Sequence, residues 1–158
     1  MSKIVDILVE IPKGSQNKYI WDQSRGRVRL DRVLHSSIHY PSDYGIIVET
    51  MAKDGRPLDA LIIVTNPTFP GCVVSGKVIG CLKTYDEKGE DTKIICVPTN
   101  DPRLSQLESL SEIASHRLKE IEYFFQAYKE LEGKPVEVEG WGDVEEALAV
   151  IERNRVKR

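Results

Sequence analysis

Four aspartates fall into two pairs of equal spacing, Asp54 with Asp59 and Asp86 with Asp91. The first pair brackets the turn Lys53-Asp-Gly-Arg-Pro-Leu-Asp59, where Gly55 and Pro57 reverse the chain and Asp59 opens an apolar run. The second brackets Tyr85-Asp-Glu-Lys-Gly-Glu-Asp91, with Gly89 marking a loop and Lys93 close behind. Hard divalent cations take oxygen ligands from several segments, and Mg²⁺ in particular combines few carboxylates with water and substrate phosphate. Two such turns brought together would make a site of that kind. Asp and Gly are also the ordinary content of turns, so spacing alone leaves both readings open.

A second set of residues mixes cations with phenols: Lys18 and Tyr19 in NKYIWD, Arg32 after Asp31, Tyr40 and Tyr44 in HYPSDYG, and Tyr128-Lys129. Such donors bind phosphate oxygens, and a metal beside them would neutralise further substrate charge. The combination suggests a polyanion. Tyr128 also continues an apolar stripe, which suits a core ring with its hydroxyl at the rim.

The elements that must position these groups are mostly strands. Residues 4–12, 27–34, 44–50 and 59–65 are rich in Val and Ile, the β-branched types that suit a pleated surface, and 72–83, 93–98 and 136–141 are similar. In 27–34, Val28, Leu30 and Arg32 alternate with polar neighbours, so Arg32 sits on a mostly apolar face and is either salt-bridged or aimed into a cavity. Helices come late. Ser109-Leu-Ser-Glu112 has capping-box spacing, and Ala114, Leu118, Ile121, Phe125 and Tyr128 then mark one face of a helix ending near Gly133. Asp143 reads as the N-cap of a second helix that buries Val144, Ala147, Leu148 and Ile151. The terminal RNRVKR reads as a frayed basic end. The pattern predicts an α+β fold, a small, mostly antiparallel β-barrel flanked by two main helices.

Bulk properties restrict the function. A chain of 158 residues with 41% apolar content fits a single domain spanning 1–158 with a proper core. Acidic residues outnumber basic ones 25 to 22 with no basic stripe, which argues against nucleic acid and anionic membranes as partners. No run approaches the roughly 20 apolar residues of a membrane helix, and the N-terminus lacks an export signal, so a cytoplasmic location is expected. Cys72, Cys81 and Cys96 are odd in number and spaced for neither disulfides nor zinc, and read as reduced strand residues.

In chain order, Val9-Glu-Ile-Pro12, Asn17-Lys-Tyr19, Leu30-Asp-Arg32, Tyr40-Pro-Ser-Asp-Tyr-Gly45, the two aspartate turns, Lys93, Phe124-Phe-Gln-Ala-Tyr-Lys129 and Val138-Glu-Gly-Trp141 resemble the family I inorganic pyrophosphatases over nearly the whole chain. The resemblance implies a five-stranded barrel of oligonucleotide-binding type and a homohexamer. It implies Mg²⁺-dependent hydrolysis of inorganic diphosphate to two phosphates by metal-activated water. Carried over by position, Asp54, Asp59 and Asp91 would hold metals directly and belong to the catalytic centre, Asp86 would join them with substrate, and Glu10 would help through water. Lys18, Arg32, Tyr44, Tyr128 and Lys129 would bind the phosphates, with Lys93 and Tyr40 close by.

Two positions depart from the resemblance. The family turn reads Asp-Gly-Asp-Pro-x-Asp, and its middle aspartate is the one assigned as the base. Arg56 occupies that catalytic position here, and a guanidinium donates only. Ile20 stands where many relatives carry a glutamate. Metals should bind more weakly and free diphosphate more easily as a result. The expected function is an inorganic diphosphatase with an impaired or altered base; the alternative is a weak or inactive relative that binds diphosphate or a nucleotide. A third reading, a nucleic-acid-binding barrel, is disfavoured by the acidic balance and the missing aromatic platform.

Overall fold

A computed structural model describes residues 2–156. Five strands form its centre: β1 (Ile4–Ile11), β4 (Asp43–Ile47), β5 (Asp59–Ile62), β6 (Val73–Asp86) and β8 (Lys93–Pro98). They pair in the order β1-β4-β5-β8-β6, and β6 pairs back onto β1, so the ring closes and leaves no open edge among these strands. Every pairing is antiparallel except β5 with β8. This is the expected α+β barrel, and its strands fall where the Val/Ile runs place them.

Alternate residues serve two cores. Ala60, Ile62, Ile94 and Cys96 join a cluster closed by Ala147, Leu148 and Ile151 of α2 (Val144–Arg153). Leu61, Ile63, Ile95 and Val97 join the other, against Ile121, Phe124 and Phe125 of α1 (Ser115–Ala127). Period-two strands thereby pack helices on both sides of the same wall. Close approach requires glycine at Gly45, where an added Cβ would lie 2.1 Å from the Leu8 carbonyl oxygen. That contact draws β4 against β1 next to Tyr44 and Glu10.

Several expectations are corrected. Residues 17–22 form a strand that the β-branched criterion passes over, β2 (Asn17–Asp22), paired with β3 (Arg27–Val33) as a separate two-stranded hairpin. Leu30 and Val33 are exposed on it, so its alternation is not that of a half-buried barrel strand. Ser109 opens only a one-turn 3₁₀ segment, Leu110–Glu112, and α1 begins at Ser115. The Glu112 carboxylate accepts from the Glu108 N–H at 2.9 Å, a capping contact spent on that short turn. Asp143 does cap α2, accepting from the Glu146 N–H at 2.9 Å. The C-terminal segment is tied down through Val156: Thr50 bridges Arg155, and the Val156 N–H donates to the Glu49 carbonyl at 2.9 Å. Lys157 and Arg158 lie outside the described residues. The cysteines are free, with Cys81 and Cys96 buried and Cys72 half-buried. A short strand β7 (Gly89–Glu90) and β9 (Glu137–Gly142) extend the sheet from β6.

Candidate active site

A cleft of about 860 Å³ opens between the barrel, the β2–β3 hairpin and the end of α1. Both aspartate turns open onto it. In each, the first aspartate spends one oxygen on its own turn: Asp54 Oδ1 accepts from the Arg56 N–H at 3.0 Å, and Asp86 Oδ1 from the Lys88 N–H at 2.8 Å. Gly55 (φ +82°) and Gly89 (φ +106°) supply the left-handed residue each turn needs. Local turn chemistry thus fixes where the second oxygen of each carboxylate sits.

Asp59 and Asp91 stand on either side of Lys93. The Lys93 ammonium, 3% exposed, donates to Asp91 Oδ2 at 2.6 Å, Tyr44 Oη at 2.7 Å and Asp59 Oδ2 at 3.0 Å. Burial alone would push Lys93 down, but Asp59, Tyr44 and Asp91 together hold it well above the usual lysine range. Burial alone would raise Asp59, but the Lys93 charge and hydrogen bond, together with hydrogen bonding to Tyr44 and Asp91, pull it below its ordinary value. Asp91 is pushed up by burial and, with Lys93 opposing, by the neighbouring charges of Asp59 and Asp86.

Glu10 reaches the cleft through a bulge. The β1–β4 register shifts between Val9 and Ile11, so Val9, Glu10 and Ile11 are all buried and Glu10 is re-aimed from the strand's outer face. Its Oε2 accepts from the Trp21 N–H at 2.8 Å and from Arg56 Nη2 at 3.4 Å. Burial raises the Glu10 carboxyl above its ordinary value.

The phosphate-type donors come from three other segments. A second bulge, in the β2–β3 pairing, leaves Asp31 between Lys18 and Arg32, with Lys18 Nζ at 3.8 Å and the Arg32 guanidinium in direct contact. Arg32 Nε also meets Glu132 Oε1 at 2.9 Å, so the residue is both salt-bridged and aimed into the cleft. Burial, reinforced by the Arg32 charge, pulls the Lys18 ammonium down. Lys129 Nζ lies 3.3 Å from Asp86 Oδ2 and 3.8 Å from Glu87. Asp86 is held below its ordinary value, the Lys88 N–H and the Lys129 charge overcoming its burial. Tyr128 stacks on Phe124 at 5.2 Å between ring centroids and still lines the cleft. Tyr40 is buried behind the site against Phe124, at 4.5 Å, and does not line it.

All the other residues singled out in the sequence line this one cleft: Glu10, Lys18, Arg32, Tyr44, Asp54, Arg56, Asp59, Asp86, Asp91, Lys93, Tyr128 and Lys129. Ile20 is there too. Sequence reasoning missed Arg153 and Asn154 at the end of α2, and the buried Glu132 that holds Arg32. A basic residue in a last helical turn reads simply as dipole compensation, and only the Arg32–Glu132 pairing gives Glu132 a role.

The family pattern described as inorganic pyrophosphatase matches residues 7–157. The chain belongs to the family I inorganic pyrophosphatases. Among relatives, the inorganic pyrophosphatase of Halalkalibacterium halodurans is 51% identical over 150 residues, covering 95% of this chain and 92% of its own. That of Geobacillus stearothermophilus is 50% identical over 151 residues, covering 96% and 92%. The crystal structure of the Thermus thermophilus inorganic pyrophosphatase superposes with a TM-score of 0.92 at 42% identity, over 95% of this chain and 88% of that one. Membership of this family implies a divalent metal cofactor.

The donor chemistry fits such an ion. Asp54, Asp59, Asp86 and Asp91 present hard carboxylate oxygens to one cleft, and the Lys93 ammonium already draws Asp59 and Asp91 toward a single cation. Among the described residues no three His, Cys, Asp or Glu side chains converge tightly enough to cage an ion alone. That suits ions completed by water and substrate phosphate rather than an all-protein site. Among the described residues no helix is long and apolar enough to cross a membrane.

Proposed function

We propose that this chain hydrolyses inorganic diphosphate to two phosphates with Mg²⁺. The observation that carries the proposal is the placing of Asp59 and Asp91 around Lys93 in a cleft whose other walls present Lys18, Arg32 and Lys129. Mg²⁺ bound by Asp54, Asp59 and Asp91, with Asp86 joining once substrate is present, would supply charge neutralisation and acidify the attacking water. Lys18 and Arg32 on the hairpin and Lys129 after α1 approach the anion from separate elements and fix its two phosphoryl groups in line for displacement. Tyr44, buried and donated to by Lys93, orders the ammonium so that the charge beside Asp59 and Asp91 does not wander. The carboxylates are set by turns and strand ends, and little reorganisation is needed as charge moves.

Glu10 and Asp54 are the carboxylates that meet Arg56, by its side chain and its N–H respectively, but neither replaces a base standing at that position, so turnover is reduced. Loss of a positioned base costs roughly 10²- to 10⁴-fold. The contact of Arg56 with Glu10 favours the second reading, a weak or inactive relative that still binds diphosphate. A single domain across 1–158 carries the function. The free thiols support a reducing, cytoplasmic setting. A homohexamer is proposed on the family resemblance.

Phosphate release from diphosphate with Mg²⁺, followed from pH 6 to 10 in the parent and in Arg56→Asp, tests the proposal. Turnover in the parent, raised tenfold or more by the substitution, is the expected result. No turnover in the parent with activity appearing only in Arg56→Asp overturns hydrolysis in favour of the binding relative.

A further inference from the structure

Arg56 is a charged group of the cleft to which the proposed hydrolysis gives no task. Its backbone is fixed on both sides, the N–H donating to Asp54 Oδ1 at 3.0 Å and the carbonyl accepting from the Ala52 N–H at 2.7 Å. With the main chain held, Arg56 lines the cleft. It meets Glu10 by a single long contact of 3.4 Å and stays 42% exposed. A guanidinium carries five N–H donors in a planar fork. Among the described residues Glu10 is the only acceptor its side chain meets, so most of that fork is available to a ligand.

The charge around it points to what that ligand is. Eight lysine and arginine side chains line the cleft against seven aspartates and glutamates, a local positive excess in a chain whose net charge is −3. An aspartate at position 56 would reverse that balance. Arg56 also approaches from the acidic turn, whereas Lys18 and Arg32 come from the hairpin and Lys129 from the end of α1. An anion with two charged ends is therefore met by cations on several sides, one of them a fork whose geometry matches phosphate oxygens. Ile20 adds no competing carboxylate to that wall.

We infer that Arg56 is a phosphate-binding residue and that, through it, the cleft takes up diphosphate not complexed by a divalent ion. The inference rests on the reading of this cleft as the diphosphate site, but it concerns binding without metal and without turnover. A guanidinium that merely neutralised Glu10 would act on such binding by its charge alone, so that Arg56→Lys would bind as tightly as the parent.

The test is calorimetric titration of the whole protein with methylenediphosphonate, whose P–C–P bridge does not hydrolyse, in EDTA at low ionic strength. The parent is expected to bind, Arg56→Gln to bind at least tenfold more weakly, and Arg56→Lys to fall between them because it keeps the charge but loses the fork. Parent affinity is expected to fall as salt is raised. Absence of binding in the parent, or equal affinity in parent and Arg56→Gln, overturns the inference, as does an Arg56→Lys that binds as tightly as the parent, the result of a role by charge alone. Metal-free binding that depends on Arg56 stands even if phosphate release fails, so the two proposals fail separately.

Discussion

Asp91, at the end of the second acidic turn, and Lys93, two residues on at the start of β8, form an ion pair with a buried ammonium and a half-buried carboxylate, Nζ 2.6 Å from Oδ2. The pairing explains why two carboxylates can face one cleft before any metal arrives. Without a cation between them, Asp59 and Asp91 would raise each other's energy in a poorly solvated place.

Lys93→Met should therefore destabilise the protein in EDTA by about 3 kcal/mol, the low end for breaking a buried pair because the carboxylates remain partly exposed. Part of that loss should return when Mg²⁺ is added, since an ion bound only by the folded state takes over the neutralisation. Urea unfolding at pH 7 with and without Mg²⁺ measures both effects. A loss that Mg²⁺ leaves unchanged would argue that Asp59 and Asp91 do not share an ion.

Glu10 gives a pH dependence of definite sign. Its folded-state carboxyl titrates above its ordinary 4.5 because burial disfavours the charge. A carboxyl raised on folding adds stability that is full below the unfolded value and is lost as pH rises through the folded one. Glu10→Gln, which keeps an oxygen for the Trp21 N–H and leaves Arg56 to solvent, should raise the Tm at pH 7 and have little effect at pH 4. Thermal melts in EDTA at the two values check this, and an equal shift at both would remove burial of the charge as the cause.

Lys129 tests the far side of the cleft. Replacing it with Ala removes a charge-assisted contact worth roughly 1.5–3 kcal/mol, so kcat/KM for diphosphate should fall about 10- to 150-fold. It also frees Asp86, whose carboxyl Lys129 helps hold below its ordinary value. Steady-state kinetics against diphosphate at fixed Mg²⁺ measure the loss; unchanged kcat/KM would place Lys129 outside substrate binding.

How much of this was readable in advance depended on whether a residue's role is local. The two aspartate turns announce themselves because Asp, Gly and a following N–H close a turn within a few positions, as Asp54 with Arg56 and Asp86 with Lys88 confirm. Asp143 was legible for the same reason. Glu10 could be placed only by resemblance, since the bulge that turns it inward is a property of β1 against β4 and leaves no mark in residues 4–12. Ser109 misled because a capping pattern records a helical turn and not how long the helix continues; Ile113, at the end of the 3₁₀ turn, is extended, and the chain restarts at Ser115. The hairpin was half legible: its two strands hold charged side chains against each other, as at Lys18, Asp31 and Arg32, where a hydrophobic count expects a core.

The cap itself gives a stability prediction that leaves chemistry alone. Asp143→Ala should cost about 1 kcal/mol, lowering Tm by roughly 2–4 °C for a chain of this size. α2 plugs one core without Asp143 reaching the cleft, so diphosphate hydrolysis at 25 °C should be unchanged. Calorimetry and a phosphate assay on the same preparation check both.

Arg56→Asp should change the metal requirement as well as the rate. Position 56 sits between Asp54 and Asp59 on a turn whose backbone is already locked by the Asp54 side chain, so an aspartate there would enter the same wall with little rearrangement. The local balance would pass from a slight cationic excess to an anionic one, which favours Mg²⁺ and disfavours the bare anion. The Mg²⁺ concentration for half-maximal turnover should therefore drop several-fold, while metal-free methylenediphosphonate binding weakens. One substitution would then move the two affinities in opposite directions, as expected if position 56 selects whether the acidic turn serves the metal or the phosphate. Mg²⁺ titrations of activity set beside the EDTA binding data decide it, and a shift of both affinities in the same direction would point instead to a general change in the cleft's shape.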